Sequence, residues 1–401
     1  MSSILFKNLN RYLTGYKIRL LRRLKCSNLD YRFASLVSGY SFLPEEIVLL
    51  VTGQCNLSCR MCNTGFQAEK KSWAEDYPSN KELNFLQWKV IIDKLSGFNN
   101  ILVISGGEPL LHRDIIPILT YIAKKSNIDC CLITNGFYLE KFAQEILDTQ
   151  INSVSISIDG PNADIHDKIR GREGAFAKAI TGLEKLLKLK EKTKSSLPRV
   201  SINFTINSIN FHLLKEAINF FKNFKLDSFS ISQLTFFTED MLNLHNNQLS
   251  SSIEVVRSGF GGMEADEWYK QIDPSVLFEQ MLWVKNESLP WPVFVSPILY
   301  DLKEIEIYYK KPKSFLTGCQ QCFTPWRMME ILPDGNVTFS NNCFKYILGN
   351  LYRQAFREVW QGLKYRELRL KMKEQKAYPI CPRCCYIRNK RQWVSIKKLR
   401  P

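Results

Sequence analysis

Cys55, Cys59 and Cys62 stand together in the run Val51-Thr52-Gly53-Gln54-Cys55-Asn56-Leu57-Ser58-Cys59-Arg60-Met61-Cys62. Thiolates are ligands for soft metals, and a four-iron cube held by cysteine takes four of them. A loop that offers three leaves one iron open. An open metal position marks a site built for chemistry rather than for holding a fold together. Taken alone, the three thiols also suit a zinc knuckle or a chance cluster of buried cysteines.

Their surroundings narrow the choice. Residues 46–52 (EIVLLVT) form a short apolar run of strand length, so the thiols follow the C-terminal end of a first strand, where parallel α/β folds keep their active sites. A helical pattern over about 82–95 leads to a second strand at 101–105, which ends in Gly106-Gly107-Glu108-Pro109. Two glycines there allow a bound ligand to approach the backbone closely.

These two motifs together resemble the radical S-adenosylmethionine enzymes, and the resemblance covers roughly residues 46–234. It implies that the cysteine loop carries a 4Fe-4S cluster bound with S-adenosylmethionine. It also implies that Met61, Gly106, Gly107, Glu108, Pro109, Thr134, Asn135, Ser157, Asp159, Arg170 and Asn207 surround the cofactor. Ser157 and Arg170 would meet its ribose or carboxylate, since a guanidinium fork holds both oxygens of a carboxylate. Asp159 reads as a proton acceptor or a turn residue, and His166 as a residue that orders the turn.

Further strands are expected at 129–134, 153–159, 200–207 and about 229–234, with amphipathic helices near 113–125, 139–149, 176–192 and 211–224. Alternation of strand and helix predicts an α/β fold with a parallel sheet and right-handed crossovers. The family resemblance makes it a partial (β/α)6 TIM-like barrel. In the later strands Val154, Ile156, Val200, Ile202, Phe204, Phe229 and Ile231 alternate with Ser155, Ser157, Ser201, Asn203, Thr205, Ser230 and Ser232. A sheet covered on both faces would read as continuous apolar runs. One polar face therefore lines either a wet lumen or solvent, and a lumen of that kind predicts a polar substrate, a peptide or a small molecule such as a sugar.

Cys319, Cys322, Cys343, Cys381, Cys384 and Cys385 form a second set. Around Pro333-Asp334-Gly335 the pattern reads as a hairpin, 328–332 with 336–339, with thiols at both ends, and a helical span over about 354–375 follows. This arrangement resembles the SPASM and twitch extensions, and it implies one auxiliary 4Fe-4S cluster on Cys322, Cys343, Cys381 and Cys384, with Cys319 or Cys385 able to replace one of them. A zinc ribbon would use the same thiols.

The net charge of +16 sits mainly at the ends, with seven basic residues and no acid over 1–26 and six basic residues and no acid over 386–401. The first segment spaces Leu5, Leu9, Tyr12, Tyr16, Leu20 and Leu24 as a basic amphipathic helix, which suits peripheral contact with an anionic membrane or an acidic partner, or docking on the barrel. The expected division is 1–44 basic helical segment, 45–235 barrel, 236–313 connecting helical region, 314–390 auxiliary cluster domain and 391–401 basic tail. A secretory signal is absent from the first 26 residues, so a cytoplasmic protein is expected.

The resemblance implies reductive cleavage of S-adenosylmethionine to a 5'-deoxyadenosyl radical that abstracts hydrogen from a substrate, with electrons from a donor such as flavodoxin or ferredoxin. The auxiliary cluster makes the outcome oxidative, and peptide maturation, a dehydrogenation or a new carbon-sulfur or carbon-carbon bond are the expected reactions. Modification of a membrane-associated lipid or glycan is a second reading. A non-catalytic metal-binding or nucleic-acid-binding protein is the rival from another class, though the nearly balanced charge of the middle of the chain argues against nucleic acid.

Overall fold

The computed structural model describes residues 39–59, 61–62, 79–98, 100–249, 268–316, 321–340, 343, 346–384 and 394–400. The basic helix expected over 1–26, most of the charged insertion after the cysteine loop, Cys319 and Cys385 lie outside them.

Strand and helix alternate from the first described element: β1 (Glu46–Thr52), α1 (Phe85–Leu95), β2 (Asn100–Gly106), α2 (Ile115–Ala123), β3 (Ile128–Thr134), α3 (Leu139–Thr149), β4 (Ser153–Ser157), α4 (Ala163–Arg170), α5 (Ala175–Thr193), β5 (Arg199–Thr205), α6 (Leu214–Phe221) and β6 (Ser228–Ser232). Then come α7 (Glu239–Leu249), α8 (Pro274–Asn286), β7 (Val293–Ser296) and α9 (Leu302–Lys310). The C-terminal part holds α10 (Thr324–Arg327), β8 (Met328–Ile331), β9 (Asn336–Thr338), β10 (Gly349–Asn350), α11 (Phe356–Trp360), α12 (Leu363–Gln375) and β11 (Val394–Ser395).

The strands of the described residues join one open sheet in the order β10-β9-β8-β1-β2-β3-β4-β5-β6-β7-β11. Neighbours from β1 to β7 pair in parallel, so the six-unit partial barrel is present, with β7 added at its edge. Two expectations need correction. The region 236–313 is not purely helical, because the apolar Val293-Phe294-Val295 forms β7 against β6. The expected hairpin of the C-terminal part is present as β8 and β9, and β8 also pairs in parallel with β1, so it joins the barrel sheet. The end of the chain is no free basic tail, because Val394 and Ser395 pair with β7 and the Arg400 amide donates to the Tyr300 carbonyl at 2.6 Å. In addition, the helix expected over 354–375 breaks into α11 and α12 at Gly362, where a Cβ would stand 2.3 Å from the Glu358 carbonyl oxygen.

One face of the sheet is apolar throughout. Ile47, Leu49, Leu102, Ile104, Leu132, Ile156, Ile202, Phe204 and Ile231 pack with Trp88, Ile91, Ile118, Ile146 and Leu183 of the helices, all buried in a single core. Sequence periods of two and 3.6 meeting on one face are what force this layering. The opposite face carries the serines, with Ser155 beside Ser201, Asn203 beside Ser230 and Thr205 beside Ser232, each partly buried. That polar wall spans β4 to β6. Over β8, β1 and β2 the same face carries an apolar cluster, with Val48, Leu50, Met328 and Leu332 packed against Val103 and Ile347, beside the carboxyls of Glu46 and Glu330.

Local chemistry sets the helix ends. Asn84 and Gln87 form a reciprocal capping box at the start of α1, which is worth about 1 kcal/mol. At the other end Lys94 crosses to the C-terminal part and donates to the carbonyls of Leu351, Tyr352 and Gln354 at 2.7, 3.1 and 3.0 Å. Residues 39–42 add a strap, with the Trp360 indole donating to the Phe42 carbonyl and Arg369 to that of Gly39. Lys94→Met removes all three charged hydrogen bonds while keeping the stem. It should lower stability by about 1 kcal/mol, since part of that cluster is exposed. A urea midpoint equal to that of the parent would show that Lys94 does not couple the two parts.

Candidate functional site

The cysteine loop leaves the C-terminal end of β1 and is fixed there by backbone contacts before any thiol is reached. Thr52 donates its hydroxyl to Glu82 Oε1 at 2.6 Å, and the Gly53 amide donates to the same oxygen at 2.9 Å. The turn after β2 lies directly against this base, as the Gly107 amide donates to the Thr52 carbonyl and the Glu108 amide to that of Gln54. A Cβ on Gly106 would stand 2.4 Å from the Thr52 oxygen, and one on Gly107 would stand 2.1 Å from that of Gln54. The close approach that these glycines permit in the folded chain is to the main chain of Thr52 and Gln54.

Glu108 is fully buried, and its oxygens are engaged by protein donors. Oε1 accepts from the Thr134 hydroxyl at 2.7 Å and the Leu110 amide at 3.0 Å, and Oε2 accepts from the Asn135 amide at 2.7 Å. Burial pushes its carboxyl up, against the pull of those hydrogen bonds. The carboxylate ties the end of β2 to the end of β3. Pro109 is buried in the short turn that follows it. Asn135 then reaches the cysteine loop, its Nδ2 donating to Asn56 Oδ1 at 2.9 Å.

From the other side the loop rests on the turn between α4 and α5. Ser58 Oγ donates to the Gly171 carbonyl at 2.8 Å, the Ser58 amide donates to that of Arg170, and Arg172 donates to that of Asn56 at 2.6 Å. Gly171 has φ +66°, and a Cβ there would lie 2.5 Å from the Ser58 carbonyl oxygen. Leu57 and Cys59 pack on Ala175, with Cys62 and Phe137 beside them.

Asp159 and Arg170 form a buried pair at 2.6 Å next to Cys59, and Arg170 NH1 lies 3.9 Å from the Cys59 sulfur. Burial works against both charges, yet beside Asp159 and the thiols the guanidinium is held above its ordinary range. Asp159 Oδ1 also accepts from the Thr205 amide at 2.7 Å, and the Asp159 amide donates to His166 Nδ1, so His166 orders this turn as expected. Asn207, at the end of β5, is fully buried and donates through Nδ2 to the Met61 sulfur at 3.9 Å. Ser157 is buried at the end of β4. The predicted residues thus converge on one end of the sheet. Glu82, Asn56, Ser58, Gly171 and Arg172 join them without having been singled out, and the polar Asn56 and Ser58 between the first two thiols were the signal that could have shown it.

Asn56 Nδ2 and Arg170 Nε, both at this site, are among the buried donors of the described residues that have no acceptor. Buried donors of this kind call for a further partner. Three thiols on one loop beside orphaned donors fit a four-iron cluster that lacks one protein ligand and takes a polar cofactor. Burial pushes the Cys59 thiol up to about 11, against Arg170 beside it, so metal loading must displace a proton there.

The second set of thiols lines one small pocket. Cys322, Cys343 and Cys381 are buried and Cys384 is half-buried. The Tyr378 amide donates to the Cys381 sulfur at 3.3 Å, and Cys343 lies 3.8 Å from Ser340 Oγ. Burial pushes the Cys322 thiol up to about 11, while a hydrogen bond with Cys384 together with burial holds Cys343 well above its ordinary value. Among the described residues no three His, Cys, Asp or Glu side chains gather around a single-ion position. Four thiols around a space of this kind are a complete donor set for a cube.

The comparisons follow the same division. A model of the Radical SAM superfamily matches residues 49–198, and a model of the SPASM iron-sulfur cluster-binding domain matches residues 322–385. An AdoMet-dependent heme synthase of Oleidesulfovibrio alaskensis is 31% identical over 43% of this chain and 41% of its own length. The chain thus spans about two fifths of that relative. A second AdoMet-dependent heme synthase, from Methanosarcina barkeri, is 25% identical over 81% of this chain and 85% of its own length. Among solved structures, Streptococcus suis SuiB bound to the precursor peptide SuiA superposes with a TM-score of 0.57 at 13% identity, covering 88% of this chain and 72% of SuiB, a likeness of fold.

Gly171→Ala should push the Ser58 backbone away and cost the first cluster. Iron after anaerobic reconstitution should fall by about four atoms per chain, one cube, while the second site stays loaded. Full iron in this variant would show that the close approach is dispensable.

Proposed function

Because the chain belongs to the radical SAM superfamily and carries a SPASM-type iron-sulfur domain, we propose that it oxidatively modifies a substrate held in the lumen of its partial barrel. The observation that carries this reading is the three-thiol loop clamped at the strand ends, with a four-thiol cavity in the same molecule. A reduced cluster held by that loop would supply one electron to S-adenosylmethionine, whose carbon-sulfur bond would break to methionine and a 5'-deoxyadenosyl radical able to take a hydrogen atom from the substrate.

Cys55, Cys59 and Cys62 hold that cluster, and Cys322, Cys343, Cys381 and Cys384 hold the auxiliary one. Met61, Asn135, Ser157 and Asn207 border the cofactor, as do the orphaned donors of Asn56 and Arg170. Gly106, Gly107, Glu108, Pro109 and Thr134 set the loop that presents it, and Asp159 holds Arg170 in place. Electrons arrive from a one-electron donor such as a flavodoxin or ferredoxin.

The proposed substrate is a peptide. The polar wall of β4 to β6 offers hydroxyls and an amide to peptide groups, and the apolar cluster of Val48, Leu50, Met328 and Leu332, with Glu330 in register beside Val48, takes a mixed side chain. Likeness of fold to a protein solved with a precursor peptide supports this choice. Among the described residues no helix is long and apolar enough to cross a membrane.

The reconstituted chain should release 5'-deoxyadenosine from S-adenosylmethionine with dithionite, and Cys59→Ala should bring release to background. Unchanged release in that variant would end the proposal. With a substrate peptide, a product two hydrogen atoms lighter is expected by mass spectrometry, and nucleoside release that no peptide stimulates would reject the substrate class alone.

A further inference from the structure

The cavity lined by the four C-terminal thiols has one wall from elsewhere in the chain. Of its described lining residues, all but one fall between 322 and 384, and the exception is His245 of α7. α7 is a polar helix, with Asn243, Asn246, Asn247 and Gln248 around this position. Its buried side holds Met241 and, one turn on, His245, which is 1% exposed.

A polar ring costs free energy on a buried face unless it is hydrogen-bonded. His245 Nε2 lies 3.0 Å from the Cys343 carbonyl oxygen. A carbonyl only accepts, so Nε2 carries the proton in this contact. The ring also meets Tyr378 edge to face at 5.6 Å, and Tyr378 in turn donates its amide to the Cys381 sulfur. Gln248, one turn further, donates to Gln375 at the end of α12. The helix is thus fastened across the cavity mouth at both halves of the thiol set.

We infer that His245 is a positioning residue of the auxiliary cluster, which holds the Cys343 segment through its carbonyl and thereby raises the cluster's reduction potential. This rests on the reading that the four cysteines bind a cluster. A cluster becomes more negative on reduction, and its potential follows the hydrogen bonds and solvent exposure around its ligands. A donor on the Cys343 carbonyl offsets the negative end of that dipole beside the sulfur. Without it the unpaired carbonyl disfavours the reduced form.

The test uses the full chain with Cys55→Ala, Cys59→Ala and Cys62→Ala, so that only the auxiliary site reports, in an EPR-monitored redox titration after anaerobic reconstitution. His245→Phe keeps the ring against Tyr378 and removes the donor. It should retain iron and lower the midpoint by about 59 mV, a tenfold change for one electron. His245→Gln restores an N–H and should recover most of the shift. Loss of iron from the Phe variant but not from the Gln variant would support the same role. A Phe variant with the parent midpoint would overturn it, as would a Gln variant shifted as far as Phe. If the triple variant takes up no iron, the four-cysteine reading fails and the role of His245 falls with it.

Discussion

Close backbone approach at the ends of β1, β2 and α4 is the constraint on which the rest of the site depends. A cube with an open corner is held by only three thiolates, so the loop that offers them cannot rely on the metal alone for its shape. Here the loop is gripped from two sides, by the Gly106-Gly107 turn against Thr52 and Gln54, and by Gly171 against Ser58. At each of these places a single Cβ would fall well inside contact distance of a main-chain oxygen. The rigidity comes from main chain packed on main chain, and the hydrogen bonds of Glu82, Glu108 and Arg172 close the gaps.

The same economy joins the two metal regions. Because β8 pairs with β1, the strand that leads into the cysteine loop is also the neighbour of the hairpin that follows Cys322. The sheet is thus a continuous frame between the sites. Its open face changes character across β1 to β6, from the apolar cluster around Val48 and Met328 to the hydroxyls of Ser155, Ser201 and Ser230. A substrate lying there meets both.

Much of this was legible in the sequence because strand ends and thiol spacings are local signals. β1, α3 and the strand end at Thr134 fall where periodicity puts them, β4 stops at Ser157, two residues short of its expected end, and the serine alternation of β4 to β6 lies on one face as expected. The roles of Gly106 and Gly107 were not legible, since a turn motif does not say whether a ligand or the chain itself comes close. Glu108 was placed at the site but not seen as a buried brace, because its partners lie on β3, 26 and 27 residues away. β7 was missed because four residues after a Pro-Trp-Pro run carry too little pattern to separate strand from connection. His245 gave no signal at all, being one histidine in a polar helix whose partner is a backbone carbonyl 98 residues on.

The central claim is that three sulfurs leave one iron corner free for a sulfonium cofactor. Electron-nuclear double resonance on the reduced protein, given S-adenosylmethionine labelled with ¹⁷O in its carboxylate, tests it most directly. The account predicts an ¹⁷O coupling to the cluster of Cys55, Cys59 and Cys62 that disappears in Cys59→Ala. A reduced cluster on those three cysteines whose spectrum is indifferent to the labelled cofactor would contradict it.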